Sequence, residues 1–231
     1  MEKKEFNKKD KFNIKETSSD GFSGKSNKLS GFSGRMFGII KFALGILLLP
    51  FVYSVSVAFL QEFSLVPRIL QGCFWYGIIS FLLIYLFLWE PVKVYLSGQK
   101  ILEVVFRFFA PLVKVAPYLL PIYFILCYLA YLILSLFPEI KGLLDYTMFL
   151  FGLTFALHLT FSAKTIRGKQ GDFLKGNYIF GFSFIYIINV GILAFILNTI
   201  FKEFSFVSFS QSSYDISSGI FSSIFRQLFL R

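Results

Sequence analysis

Long runs of apolar residues are the feature that most constrains the fold of this 231-residue chain. The first run, residues 36–60, is long enough to cross the roughly 30 Å of bilayer hydrocarbon as a helix rising about 1.5 Å per residue. Similar runs follow along the chain, at residues 72–89, 116–137, 143–163 and 178–200. The sequence therefore predicts an all-α membrane protein, a polytopic helical bundle of about five transmembrane helices.

Composition supports the membrane class and argues against a nucleic-acid-binding protein. Hydrophobic residues make up 56% of the chain and aromatic residues 20%, which is outside the range of soluble globular domains. The excess of 23 Lys and Arg over 13 Asp and Glu lies between the apolar runs rather than on one compact face. The two cysteines, Cys73 and Cys127, provide neither a disulfide framework nor metal-ligand spacing.

Three regions follow from the distribution of apolar residues. Residues 1–35 are polar and basic, and predict a disordered cytosolic tail. Residues 36–200 hold the transmembrane helical domain. Residues 201–231 predict a tail whose isoleucines and phenylalanines recur at helical spacing, typical of an amphipathic helix lying in the outer interface. Contact with a partner's helix is the alternative for this last segment.

The Lys and Arg counts of the connecting segments predict the orientation in the membrane. Alternate segments hold nine (1–35), four (90–115) and four (164–177) of these residues. The others hold one (61–71), one (138–142) and three (201–231). Because cytosolic segments are richer in Lys and Arg, the contrast favours a cytosolic N-terminus, an external C-terminus and contact with the lipid bilayer.

One further helix is expected between Pro91 and Pro111, and it carries a charged face. Lys93, Lys100, Glu103 and Arg107 fall within one arc of about 80° at about 100° per residue. This amphipathic helix, residues 92–110, either lies in the cytosolic interface or is re-entrant with the charges toward a wet cleft. Glu103 and Arg107 are four residues apart in the order that favours pairing.

Three segments resemble the small bacterial membrane proteins related to the site-2 proteases, which are intramembrane zinc metallopeptidases. They are YLSGQKILEVVFR, then APYLLPIY, then FGLTFALHLTFSAKTIRGKQGDFLKGNYIFGFSFIYIINV, and the resemblance spans roughly residues 72–198. It implies a bacterial cytoplasmic membrane protein. It also places a His-Glu-x-x-His zinc motif on the helix that carries YLSGQKILE.

The residues at the motif positions are Gln99, Lys100 and Glu103. An amide replaces a histidine, a cation replaces the carboxylate base, and one carboxylate replaces the second histidine, so all three roles are damaged. The resemblance therefore implies a non-catalytic relative without a metal cofactor. It would place Asp172 at an acidic position of a later motif, where a third zinc ligand lies.

The single histidine, His158, lies in the fourth apolar run. A polar residue inside a span is a functional candidate by default, although a lone histidine is more often hydrogen-bonded in packing. Lys93, Arg107, His158 and Asp172 are the residues of a possible polar site, and zinc held by His158, Glu103 and Asp172 is the metal alternative. Asn189 and Asn198 are expected to hydrogen-bond between helices, and Pro117 and Pro121 to bend the third span.

Three functions are compatible with these patterns. The first is a non-catalytic membrane protein that binds a membrane partner or peptide without cutting it. The second is a small carrier or channel subunit that uses the charged face and His158. The third is an active zinc metallopeptidase with atypical ligands.

Overall fold

A computed structural model describes residues 20–88, 91–107, 116–137, 140–168 and 178–229. The chain divides into two units, Met1–Ile39 and Ile40–Arg231, and the packing described below is that of the second. The described residues form helices and turns without strands, which confirms the all-α class. The helices are α1 (Asp20–Phe63), α2 (Arg68–Leu83, continued by a π-helical turn Ile84–Leu88), α3 (Val92–Val105), α4 (Ile122–Leu134), α5 (Leu143–Gly168), α6 (Tyr178–Ile200) and α7 (Phe206–Phe229).

Four segments are long and apolar enough to cross a membrane: Gly38–Phe63, Arg68–Phe87, Leu143–Arg167 and Tyr178–Ile200. They correspond to four of the five predicted spans and indicate a membrane protein. The remaining predicted span, 116–137, is interrupted at Pro121. The continuous helix α4 has 13 residues and is therefore only about 20 Å long.

The first helix begins before the first apolar run. It starts at Asp20, inside the segment 1–35 that the sequence assigns to a disordered tail. A helix already formed by the apolar run can extend into this polar, basic segment because nucleation is the expensive step, although the glycines of the segment oppose the extension. Residues 1–19 lie outside the described residues.

Two glycines bring α2 and α5 into backbone contact. A Cβ atom added to Gly77 would overlap the carbonyl oxygen of Phe149, and one added to Gly152 would overlap the carbonyl oxygen of Phe74. Small residues allow this approach between membrane helices, where close packing replaces the hydrophobic effect as the source of association. The two helices therefore form the tightest pair in the described bundle.

Contacts that advance together along two helices give their relative directions. α2 and α5 are parallel, with contacts between Phe74 and Phe155 and between Phe81 and Phe161. α1 and α6 are also parallel, with contacts between Gly45 and Phe180 and between Ser56 and Tyr186. The α4 segment runs parallel to α6, with contacts between Leu119 and Asn189 and between Tyr128 and Thr199.

The last helix, α7, turns back along α1. Near its start, Ser205 N donates to Glu62 Oε2 at 3.1 Å, and Phe204 lies 6.0 Å from Phe59 between ring centroids. Further along, the Phe221 and Phe51 rings are 5.4 Å apart. The sequence instead places this helix flat on the outer leaflet. The structure differs, because Phe221 packs against Phe51 of α1 and α7 runs antiparallel to α1, whereas Phe225 and Phe229 remain exposed.

Candidate functional site

The α3 helix presents opposite faces to the bundle and to its surroundings. Tyr95, Gly98 and Leu102, spaced three and four residues apart, are buried. Gly98 permits close contact with α4, because an added Cβ atom would come within 2.7 Å of Ile122 and Tyr123 side-chain atoms. The Tyr123 hydroxyl also donates to Val94 O at 2.5 Å. These contacts fix α3 on the bundle by one face.

The predicted charged residues occupy the other face of α3 and the turn that follows it. Lys93, Lys100, Glu103 and Arg107 are all exposed. Both Glu103 and Arg107 lie in the described part of the chain, and no ion pair joins them. The helix ends at Val105, so Arg107 lies in a turn rather than one helical turn beyond Glu103. The expected pairing is therefore wrong, and residues 108–110 of the predicted helix are outside the described ranges.

The three positions matched to the zinc motif face different surroundings. Gln99 is half-buried, and its Nε2 donates to the Tyr95 hydroxyl at 2.9 Å. Lys100 and Glu103 are exposed. Across the described residues, no three His, Cys, Asp or Glu side chains are grouped to hold a metal ion. Asp172, the proposed third ligand, lies outside the described residues.

His158 belongs to a buried polar network that connects α3 with α5. Its Nε2 lies 3.2 Å from Ser162 Oγ, which lies 3.2 Å from the Tyr95 hydroxyl. His158 is 4% exposed and Ser162 is fully buried. The Tyr95 ring stacks on Phe161 at 5.2 Å, and burial raises the pKa of its hydroxyl above the ordinary value. The network is a buried connection between helices and lies away from the exposed charges of α3.

The break before α4 supplies acceptors to the same network. Residues 116–119 are helical, and Pro121, which has no N–H, stops the continuation of their hydrogen bonding into α4. Ser162 Oγ donates to Tyr118 O at 3.3 Å, and the His158 ring hydrogen-bonds to the Tyr118 backbone. At the predicted bend in the third span, side chains of α5 therefore hydrogen-bond to a backbone carbonyl.

Asn189 of α6 completes this arrangement. Its Nδ2 donates to Leu119 O at 3.0 Å and to Ile185 O at 2.8 Å. The residue is fully buried, and its Oδ1 has no hydrogen-bond partner. Asn198 Oδ1 accepts from Phe206 N at 2.9 Å. Both asparagines therefore connect elements, as predicted.

Sequence reasoning missed Tyr95 and Ser162, the two residues that join His158 to α3. Ser162 lies four residues after His158, on the same helical face. That spacing was the available signal for Ser162, whereas the contribution of Tyr95 depends on how α3 docks. No protein-family model, no curated protein and no solved structure matches this chain.

Proposed function

We propose that this protein is a non-catalytic membrane protein that binds a membrane partner or peptide through the exposed charged face of α3. The main support for this proposal is the position of α3. One face of the helix is buried against the bundle, and Lys93, Lys100 and Arg107 remain exposed. Three cations with one carboxylate would attract an acidic juxtamembrane segment of the partner. The enzyme alternative has less support, because Gln99 is engaged by Tyr95.

The relation to site-2 protease-type metallopeptidases remains part of this proposal. In this proposal, the positions of Gln99, Lys100 and Glu103 correspond to the zinc motif but no longer carry its metal ligands and catalytic base. The purified wild type should then contain no stoichiometric metal, whereas a variant carrying Gln99→His, Lys100→Glu and Glu103→His should take up about one zinc ion per chain. Absence of zinc from the restored variant would argue against the relation but not against partner binding.

Partner binding is tested by a photo-crosslinking amino acid placed at Lys100. A discrete product in native membranes is expected, and it should disappear when Lys93→Glu and Arg107→Glu reverse the neighbouring charges. The matched control is the same amino acid at Lys141, which is also exposed but precedes α5. Products of equal yield at both positions, or a product insensitive to charge reversal, would contradict the proposal.

The membrane arrangement belongs to the same proposal. We infer five crossings with a cytosolic N-terminus in a bacterial cytoplasmic membrane. The charge counts support this orientation, and the parallel pairs α1–α6, α4–α6 and α2–α5 have the directions that five alternating crossings require. The return of α7 along α1 adds a sixth passage after these five, and so favours a C-terminus on the cytosolic side, whereas the charge counts alone favour the external side.

A small carrier is a second candidate, favoured by the broken helix before α4. Interrupted membrane helices expose carbonyl groups that bind substrates or ions in transporters. Here the Tyr118 and Leu119 carbonyls at the break already accept hydrogen bonds from Ser162 and Asn189, so the group offered to a substrate is the unpartnered Oδ1 of Asn189. The test is solute flux in proteoliposomes for the wild type and for Lys100→Gln, Arg107→Gln and Asn189→Leu. Flux that is absent, or equal in all four proteins, removes this candidate.

A further inference from the structure

The middle of the outward face of α7 is polar, between apolar residues exposed at Val207 and Phe225, although the helix lies beside a membrane span. Its central positions advance by four, three and four residues and so lie on one side of the helix. These four exposed residues, which we call the α7 polar stripe, are Gln211, Asp215, Ser218 and Ser222. The opposite side is buried at Phe209 and Ser217.

The depth of the stripe follows from the contacts of α7 with α1. The start of α7 is beside Glu62 of α1, which hydrogen-bonds to Ser205. Further along, Phe221 of α7 is beside Phe51 of α1. Residues 51–62 belong to the apolar segment Gly38–Phe63, which is long enough to cross a membrane. In the membrane arrangement proposed above, in which α1 crosses the membrane, the stripe therefore lies at the depth of the bilayer rather than flat on its surface. Carboxylate, amide and hydroxyl groups at that depth need polar partners, because lipid chains offer none.

We propose that the α7 polar stripe is covered by the same stripe of a second copy of this chain, in a two-fold symmetric dimer. In a parallel two-fold pair, the donor groups of Gln211 and Ser218 in one copy lie about one helical turn from the Asp215 carboxylate of the other, so each copy supplies donors to the acceptor of the other. Gln211 Nε2 already donates to Asp215 Oδ1 at 3.0 Å, which leaves the remaining carboxylate lone pairs for serine hydroxyl groups of the second copy.

Gly219, beside the stripe, supports close approach of another helix. A Cβ atom added at Gly219 meets nothing within 4 Å, so packing within one copy does not require a glycine there. In contrast, the glycines at 77 and 152 are needed inside the bundle. A missing side chain on an outward face lets a second backbone come close, as small residues do between membrane helices.

The geometry makes a specific prediction about which residues meet. Two copies inserted in the same orientation have parallel α7 helices, so equal positions face each other across the axis. With Cys73→Ala and Cys127→Ala as background, Ser222→Cys and Ser218→Cys should form disulfide-linked dimers on oxidation in native membranes. The matched control is Ser210→Cys, also exposed on α7 but turned about 120° from position 222.

The expected result is strong dimer formation at positions 218 and 222 and a background level at position 210. Gly219→Leu should lower the Ser222→Cys product to that background while leaving the melting temperature of the protein unchanged. The proposal is overturned by equal cross-linking at all three positions, by a product with the mass of another protein, or by a product insensitive to Gly219→Leu. Labelling of position 222 by a water-soluble maleimide would also overturn it, because the stripe would then face water.

Discussion

At the scale of single residues, Tyr95 determines how α3 is joined to the bundle. Its hydroxyl accepts from Gln99 and lies within hydrogen-bonding distance of Ser162, which in turn contacts His158. A polar chain of this kind is stable only when each buried group keeps a partner, because an unpaired group retains its full desolvation cost. The hydroxyl of Tyr95 therefore stabilises groups on two helices at once.

Replacement of this hydroxyl should be costly. Tyr95→Phe leaves Gln99 and Ser162 each without one partner, and the free energy of unfolding should fall by about 1–3 kcal/mol. The measurement is thermal or denaturant unfolding in detergent. Tyr146→Phe serves as the control, since Tyr146 is 70% exposed, and an equal loss in both variants would contradict the assigned role of Tyr95.

The raised pKa of Tyr95 adds a pH dependence with a defined sign. Below the ordinary tyrosine pKa of about 10, both folded and unfolded chains keep the proton, and the contribution of Tyr95 is fully present. As the pH rises above that value, the unfolded chain releases the proton first, so stability falls. Tyr95→Phe should show a smaller loss of stability than the wild type between about pH 9 and 11. Parallel curves for the two proteins would exclude this effect.

At the scale of helices, the close contact of α2 and α5 depends on Gly77 and Gly152, which carry no side chain. Gly77→Ala or Gly152→Ala would set a methyl group against a backbone carbonyl, which cannot rotate away as a side chain could. Overpacking of this kind costs about 1–3 kcal/mol, and we expect the upper half of that range. The melting temperature of the purified protein measures the loss.

Gly191 provides the matched control for this pair. It lies within a transmembrane-length helix, α6, yet an added Cβ atom meets nothing within 4 Å. Gly191→Ala should therefore leave the protein as stable as the wild type or slightly more stable, because alanine loses less backbone entropy in a helix. Destabilisation equal to that of Gly77→Ala would show that helix contact is not the cause.

At the scale of the whole molecule, the direction of α7 predicts where the chain ends relative to the membrane. Single cysteines introduced at Lys3 and Arg231, in the background without Cys73 and Cys127, should both resist a membrane-impermeant maleimide applied to intact cells. A cysteine at Lys141 should react, since that turn is predicted to be external. Reaction at Arg231 would restore the interfacial placement of α7 with an external C-terminus.

The sequence predicts the apolar helices well because their length and hydropathy follow directly from residue order. It also places the charges of α3 on one face, since a 3.6-residue period needs no tertiary information. Contacts between segments that are distant in the sequence could not be predicted in this way. The overlap of Gly77 with Phe149 and the contact of Tyr95 with Ser162 depend on helix docking, which no local pattern specifies. The return of α7 was missed for the same reason, because an amphipathic period does not distinguish a lipid surface from a neighbouring helix.

The glycine contact between α2 and α5 also sets an order of events during biosynthesis. Gly152 is translated about 75 residues after Gly77, which at bacterial and eukaryotic elongation speeds is a delay of roughly 4–15 s. Throughout that interval α2 has been made but α5, the helix that packs against its backbone at Gly77, has not. During this interval α2 must therefore stay in the insertion machinery or in lipid without its partner helix, so an incomplete bundle exists until α5 is made.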